Sequence, residues 1–148
     1  MKRYETQLRV RYQETDKMGF VYYANYLIWF EVGRTELLEG NGIPYTTLEQ
    51  EGIFLPAREA SLRFIRPAQY GDTIRVFTTI GCLTRAKIEC SYRVVNQRDD
   101  LLATGRTLHV FTDAMGRLRR ISQERLEAFQ KALADYREIP APLSRPKL

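Results

Sequence analysis

Tyr12-Gln-Glu-Thr-Asp16-Lys-Met-Gly19-Phe-Val-Tyr-Tyr23-Ala-Asn25-Tyr-Leu-Ile-Trp-Phe-Glu31-Val-Gly-Arg34 sets a glycine-containing loop with an aspartate, Asp16, just ahead of a run that reads as a helix. Tyr22, Tyr23, Ala24, Tyr26, Leu27, Ile28, Trp29, Phe30 and Val32 make that run apolar almost all the way round. Such a helix is expected to be covered on every side. Its first turn carries unpaired N–H groups and a partial positive charge, which suit a developing anion. A carboxylate beside it is placed for acyl-transfer chemistry.

Outward from that stretch, Leu8, Val10 and Tyr12 alternate with Gln7, Arg9 and Arg11, the period of a first strand. The helix is expected to run to about Glu39, where Gly40, Gly42 and Pro44 end it. Thr46-x-x-Glu49 reads as a capping box for a short helix that Gly52 closes. From Phe54 the period becomes two. Ala86, Ile88, Cys90, Tyr92 and Val94 alternate with charged and polar residues, and Arg75–Leu83 is the hairpin partner across Thr84-Arg85. Leu102–Phe111 is a further strand. Ser122 caps a last amphipathic helix with Leu126, Phe129, Leu133 and Tyr136 on one face and Ile121 as its staple. A long apolar helix followed by antiparallel strands predicts an α+β layer, with a sheet wrapped around the helix. Residues 1–138 read as one domain and 139–148, rich in proline, as a loose tail.

The 148 residues carry a net charge of +5. The basic residues are scattered and form no nucleic-acid motif, so a nucleic-acid partner is not expected. No apolar run approaches membrane-spanning length, and the opening Met-Lys-Arg-Tyr-Glu lacks a signal-peptide core, pointing to a cytoplasmic protein without membrane insertion. Cys82 and Cys90 form no CxxC and read as reduced, buried thiols rather than metal ligands. His109 lies within a strand and reads as a hydrogen-bonded structural residue. The chain has no GxSxG elbow and no glycine-rich phosphate loop, which argues against serine-triad and dinucleotide chemistry.

The segment Asp16 to Glu31 matches the pattern D-x-x-G-x-V-Y-Y-A-N-Y-L-x-W-F-E and resembles the 4-hydroxybenzoyl-CoA thioesterase family of hot-dog-fold acyl-CoA thioesterases. A second shared block is Phe64-Ile-Arg-Pro67-Ala-Gln-Tyr70-Gly71-Asp72, and the likeness runs from about Leu8 to Asp113. Many relatives have His where this chain has Tyr23, so a histidine-assisted variant is not available to it. The resemblance implies a hot-dog fold and hydrolysis of an acyl-CoA thioester without metal or other cofactor. It makes Asp16 the nucleophile or general base, two roles the residues leave open, and the Tyr23 backbone N–H an oxyanion donor. Arg85 and Lys87, at the hairpin, are the expected contacts for the CoA nucleotide, with Arg63 and Arg66 as weaker candidates. Asn25 is expected to pair structurally or to help shape the substrate site. Glu31 is expected to find a partner, Arg34 being three residues on. Sites at a subunit interface in a homodimer or homotetramer are also implied. A non-catalytic acyl-CoA or acyl-carrier-protein binding module on the same fold is the alternative.

Overall fold

A computed structural model of the protein describes residues 1–138; the expected loose tail, 139–148, lies outside the described residues. Five strands, β1 (Tyr4–Arg9), β2 (Ala57–Phe64), β3 (Thr73–Leu83), β4 (Lys87–Val95) and β5 (Leu101–Val110), form an antiparallel sheet in the order β1-β3-β4-β5-β2. Helix α1 (Asn25–Gly40) lies across one face of it, and the short α2 (Tyr45–Gln50) and α3 (Gln123–Ala132) complete the layer. This is the α+β hot-dog arrangement.

Alternation decides which face meets the helix. Ile74, Val76 and Ile80 of β3 and Ile88, Cys90, Tyr92 and Val94 of β4 are buried beneath Tyr26, Phe30 and Leu37 of α1. Each such large side chain contributes roughly 1.5–3 kcal/mol on burial. Phe30 stacks on Tyr92 with ring centroids 4.3 Å apart and planes 5° from parallel. Two glycines let α1 lie this close to the sheet, Gly105 beneath Phe30 and Gly33 over Thr78 and Val76. A Cβ on Gly105 would come 2.6 Å from Phe30 Cζ and 2.7 Å from the Ser61 carbonyl, and one on Gly33 2.7 Å from Thr78 Oγ1.

Several local expectations need correction. The first strand ends at Arg9, and Tyr12 begins a 3-10 turn (Tyr12–Glu14) with its ring exposed. Helix α1 starts at Asn25 rather than Tyr22, because Tyr22–Ala24 form a turn in which Asn25 N–H donates to Tyr22 C=O. The helix is not covered all round within one chain. Tyr26, Trp29, Phe30, Leu37 and Leu38 are buried, but Leu27 and Ile28 remain 40% and 48% exposed. At α2 no capping box forms: Pro44 holds the N-cap position and needs no N–H there. Arg34 does not pair with Glu31 but turns to the Tyr45 and Tyr92 hydroxyls, at 3.0 and 3.2 Å.

Other readings hold. Ser122 Oγ accepts from Arg125 N–H at 3.0 Å, and Ile121 and Leu126 are both in the core. Cys90 is buried, and its burial pushes the thiol up to about 12, while Cys82 is only partly buried; both are free. His109 is buried with both ring nitrogens bonded.

Candidate active site

Asp16 lies in a tight reversal that its own atoms build. Its Oδ1 accepts from Met18 N–H at 2.9 Å and Phe20 N–H at 3.3 Å, while its N–H donates to Phe20 C=O. Gly19 takes φ +78°, the left-handed conformation that glycine adopts without strain, and lets the chain return. Oδ2 makes no hydrogen bond among the described residues, so one carboxylate oxygen is held and the other is presented. Asp16 lines a cavity of about 300 Å³ together with Phe20, Tyr23, Tyr26, Phe64 and Ile65.

Tyr23, in the same lining, immediately precedes the Ala24 N-cap of α1. The N–H groups of Asn25, Tyr26 and Leu27 are used by the carbonyls of Tyr22, Tyr23 and Ala24. Those of Tyr23 and Ala24 have no acceptor among the described residues. Two main-chain donors are therefore left at the end of the helix nearest the aspartate, where the helix dipole favours an anion.

What holds loop and helix together is Glu14, a residue that the sequence reading did not single out. It is 3% exposed. Its Oε2 accepts from Trp29 Nε1–H at 2.8 Å and its Oε1 from Arg11 N–H at 2.9 Å, and its carbonyl accepts from Tyr22 N–H and Asn25 Nδ2. Asn25 thus spends an amide hydrogen on the loop. The signal in the sequence was slight: a carboxylate two residues before Asp16, with no cation beside it except Arg11.

Arg85 and Lys87 stand at the β3–β4 hairpin, far from the Asp16 cavity. Arg85 Nε donates to Ile121 C=O at 2.8 Å, while Lys87 faces a second, basic cavity. Arg66 lines the Asp16 cavity but pairs with Asp100 at 3.6 Å, and Arg63 lies on the sheet face turned from α1. That face also bears a hollow of about 720 Å³, in which Glu138, the one carboxylate among the described lining residues, is held by Thr79 and Arg106. Among the described residues no three His, Cys, Asp or Glu side chains converge to hold a metal ion, and no helix is long and apolar enough to cross a membrane.

The five-stranded antiparallel sheet and the helix α1 across it define a hot-dog protein. The chain belongs to the Thioesterase-like superfamily, whose family model matches residues 10–141. It is 36% identical over 107 residues to YneP of Bacillus subtilis, described as a candidate acyl-CoA thioesterase, across 72% of this chain and 78% of that one. It is 29% identical over 108 residues to the acyl-CoA thioester hydrolase YbgC of Escherichia coli O157:H7, across 73% and 81% of the two chains. The crystal structure of a DHNA-CoA thioesterase from Staphylococcus aureus superposes with a TM-score of 0.84 at 28% identity, covering 90% of this chain and 93% of that one.

Proposed function

We propose that the protein hydrolyses an acyl-CoA thioester to a carboxylic acid and free CoA, in the manner of the 4-hydroxybenzoyl-CoA thioesterases. The observation that carries this reading is the pairing of a half-tethered carboxylate with unpaired N–H groups on the lining of one cavity. With Oδ1 fixed by two N–H donors, Asp16 is oriented without being used up. Its Oδ2 either attacks the thioester carbonyl carbon or takes a proton from a water that attacks it. Both routes place negative charge on the carbonyl oxygen, and the N–H groups of Tyr23 and Ala24 are its donors. Collapse of the tetrahedral intermediate breaks the C–S bond and expels the CoA thiolate; in the first route this leaves an aspartyl anhydride that water then hydrolyses to the acid and free Asp16, and in the second it gives the acid directly. Asn25 serves the site by tying Glu14 to the helix start. Lys87 and Arg85 serve the CoA nucleotide, Lys87 by contact and Arg85 by bracing the segment at Ile121.

The cavity is apolar and largely aromatic apart from Asp16 and Arg66, which suits an aryl or short apolar acyl group. One chain does not enclose it. Tyr22, Tyr23, Leu27, Ile28, Phe64 and Ile65 are all exposed around it, and β2 is a sheet edge with every residue but Leu62 exposed. An open edge of this kind invites pairing, and a second copy joined edge to edge about a two-fold axis would cover it. A panel of acyl-CoA thioesters, with released thiol measured for wild type and Asp16→Asn, tests the reading. Tight acyl-CoA binding with no hydrolysis across the panel would replace it with a binding module.

A further inference from the structure

The 720 Å³ hollow on the sheet face turned from α1 shares no lining residue with the Asp16 cavity. Strand register builds its floor. One cross-strand row runs Arg63, Thr104, Arg93, Phe77 over β2, β5, β4 and β3. The row beside it runs Ser61, Arg106, Ser91, Thr79 over the same strands. Arg63 and Arg93 are two strands apart with the Thr104 hydroxyl between them, a spacing of about 10 Å. Arg3, immediately before β1, joins the same lining.

Charge is left over on this face. The lining carries four arginines and one carboxylate, Glu138. Only Arg106 is neutralised, by Glu89 and Glu138. Glu5, next to Phe77 along the first row, is taken by Arg75 at 3.4 Å. Among the described residues Arg3, Arg63 and Arg93 have no ion pair and donate no side-chain hydrogen bond, and the hydroxyls of Ser61, Ser91 and Thr104 have no partner. Residues 139–148 contain no aspartate or glutamate to supply one. A second copy packed here about a two-fold axis would set the cluster against its own image, arginine against arginine. A ligand with several anionic groups meets the opposite situation. Guanidinium forks match phosphate oxygens two at a time, and serine and threonine hydroxyls add donors between them. The volume lies within the range of small-molecule sites.

We infer that this hollow binds a small polyphosphate, either inorganic or the phosphate chain of a nucleotide. Arg3, Arg63 and Arg93 hold successive phosphates, and the hydroxyls of Ser91 and Thr104 donate between them. The whole sheet separates the site from α1, so its ligand is not the molecule that reacts at Asp16. The assignment stands independently of the acyl-CoA reading.

Calorimetric titration of the full chain with inorganic tripolyphosphate, and separately with ATP, tests it. Wild type is expected to bind tripolyphosphate, and to bind it more weakly as salt rises. Equal affinity for ATP assigns the site to the phosphate chain alone, and tighter binding of ATP assigns it to a nucleotide. Arg63→Glu and Arg93→Glu should each weaken binding by about tenfold, the scale of one charge-assisted contact. Lys87→Glu makes the same charge change at the basic cavity by the β3–β4 hairpin and should leave the affinity unchanged. Thermal melts confirm folding, and Arg63→Gln or Arg93→Gln, with a smaller expected loss, replaces a charge reversal that fails to fold. No binding by wild type overturns the assignment, as does a loss in Lys87→Glu equal to that in Arg93→Glu. An assembly that Arg93→Glu dissociates without any polyphosphate present would give the face to a second copy and overturn it too.

Discussion

Trp29 Nε1–H donates to Glu14 Oε2 at 2.8 Å, a buried bond that joins the first turns of α1 to the loop carrying Asp16. It spans fifteen residues and is reinforced by the bonds from Tyr22 and Asn25 to the Glu14 carbonyl. Loop and helix therefore move as one piece, and the aspartate keeps a fixed relation to the free N–H groups.

Removing that carboxylate should cost both stability and rate. Glu14→Ala leaves the indole N–H and the Arg11 N–H without their acceptor, at about 1–3 kcal/mol of stability for a buried donor. Glu14→Gln keeps one of the two acceptor oxygens and should recover only part of the loss. In steady-state kinetics the alanine variant should lower kcat more than it raises KM, and the glutamine variant should lie between it and wild type. Equal kcat in both variants and wild type would show that the tether is only structural.

Asp16→Asn should preserve the fold and much of the turn, since the amide oxygen still accepts from Met18 and Phe20. It supplies neither an effective nucleophile nor a base. Turnover should fall by roughly 10²–10⁴-fold or more, with acyl-CoA dissociation little changed. Near-wild-type turnover would refute the mechanism.

Lys87→Glu should raise KM for acyl-CoA far more than it lowers kcat, because a nucleotide contact is the same in ground and transition states. Arg85→Glu should do so with a drop in melting temperature as well, since it also breaks the bond to Ile121 C=O. A change confined to kcat in the Lys87 variant would remove this residue from the CoA site.

The buried chain from Arg34 through Tyr92 and Thr107 to His109 makes stability depend on pH. Arg34 donates to Tyr92; Tyr92 OH and Thr107 Oγ1 are 2.6 Å apart, and Thr107 Oγ1 and His109 Nε2 2.8 Å. With protons passed along this chain, His109 accepts at Nε2 and donates from Nδ1 to Leu55 C=O. Burial, and then the Arg34 charge, push its imidazole down from 6.5 to about 4. Below pH 6.5 the unfolded chain takes up a proton that the native one refuses, so stability falls as pH drops through that window. The loss should reach about 2 kcal/mol by pH 5. Denaturant midpoints at pH 7 and 5, compared with His109→Gln, isolate the contribution, and an equal decline in both would assign it to other groups.

In solution the protein should be at least a dimer, since the β2 edge and the apolar side of α1 are exposed in one chain. Light scattering at micromolar concentration reads this directly. A stable monomer would leave the Asp16 cavity open and count against the interface.

Sheet and helix were legible because periodicity reports burial: Ile88, Cys90, Tyr92 and Val94 fall on one face, as their spacing says. Capping at Ser122 was legible because it is local. Helix onset was not, since an apolar run at Tyr22–Ala24 reads the same in a turn as in a first helical turn. Nor was the part played by Glu14, whose partner Trp29 is fifteen residues away. The basic cavity was half legible: Lys87 stood out at its hairpin, but only the sheet order brings Arg58 and Arg120 beside it.

Gly105 and Gly33 act as a spacer of zero thickness. Any side chain at either would lift α1 off the sheet by the width of a methyl group, and the start of α1 would travel with it. Because the Tyr23 and Ala24 N–H groups lie at the start of that helix, whereas Phe64 and Ile65 across the cavity belong to the sheet side, the depth of packing in the core sets the width of the Asp16 cavity. Under the proposed hydrolase reading, two residues outside that cavity gauge what acyl group can enter.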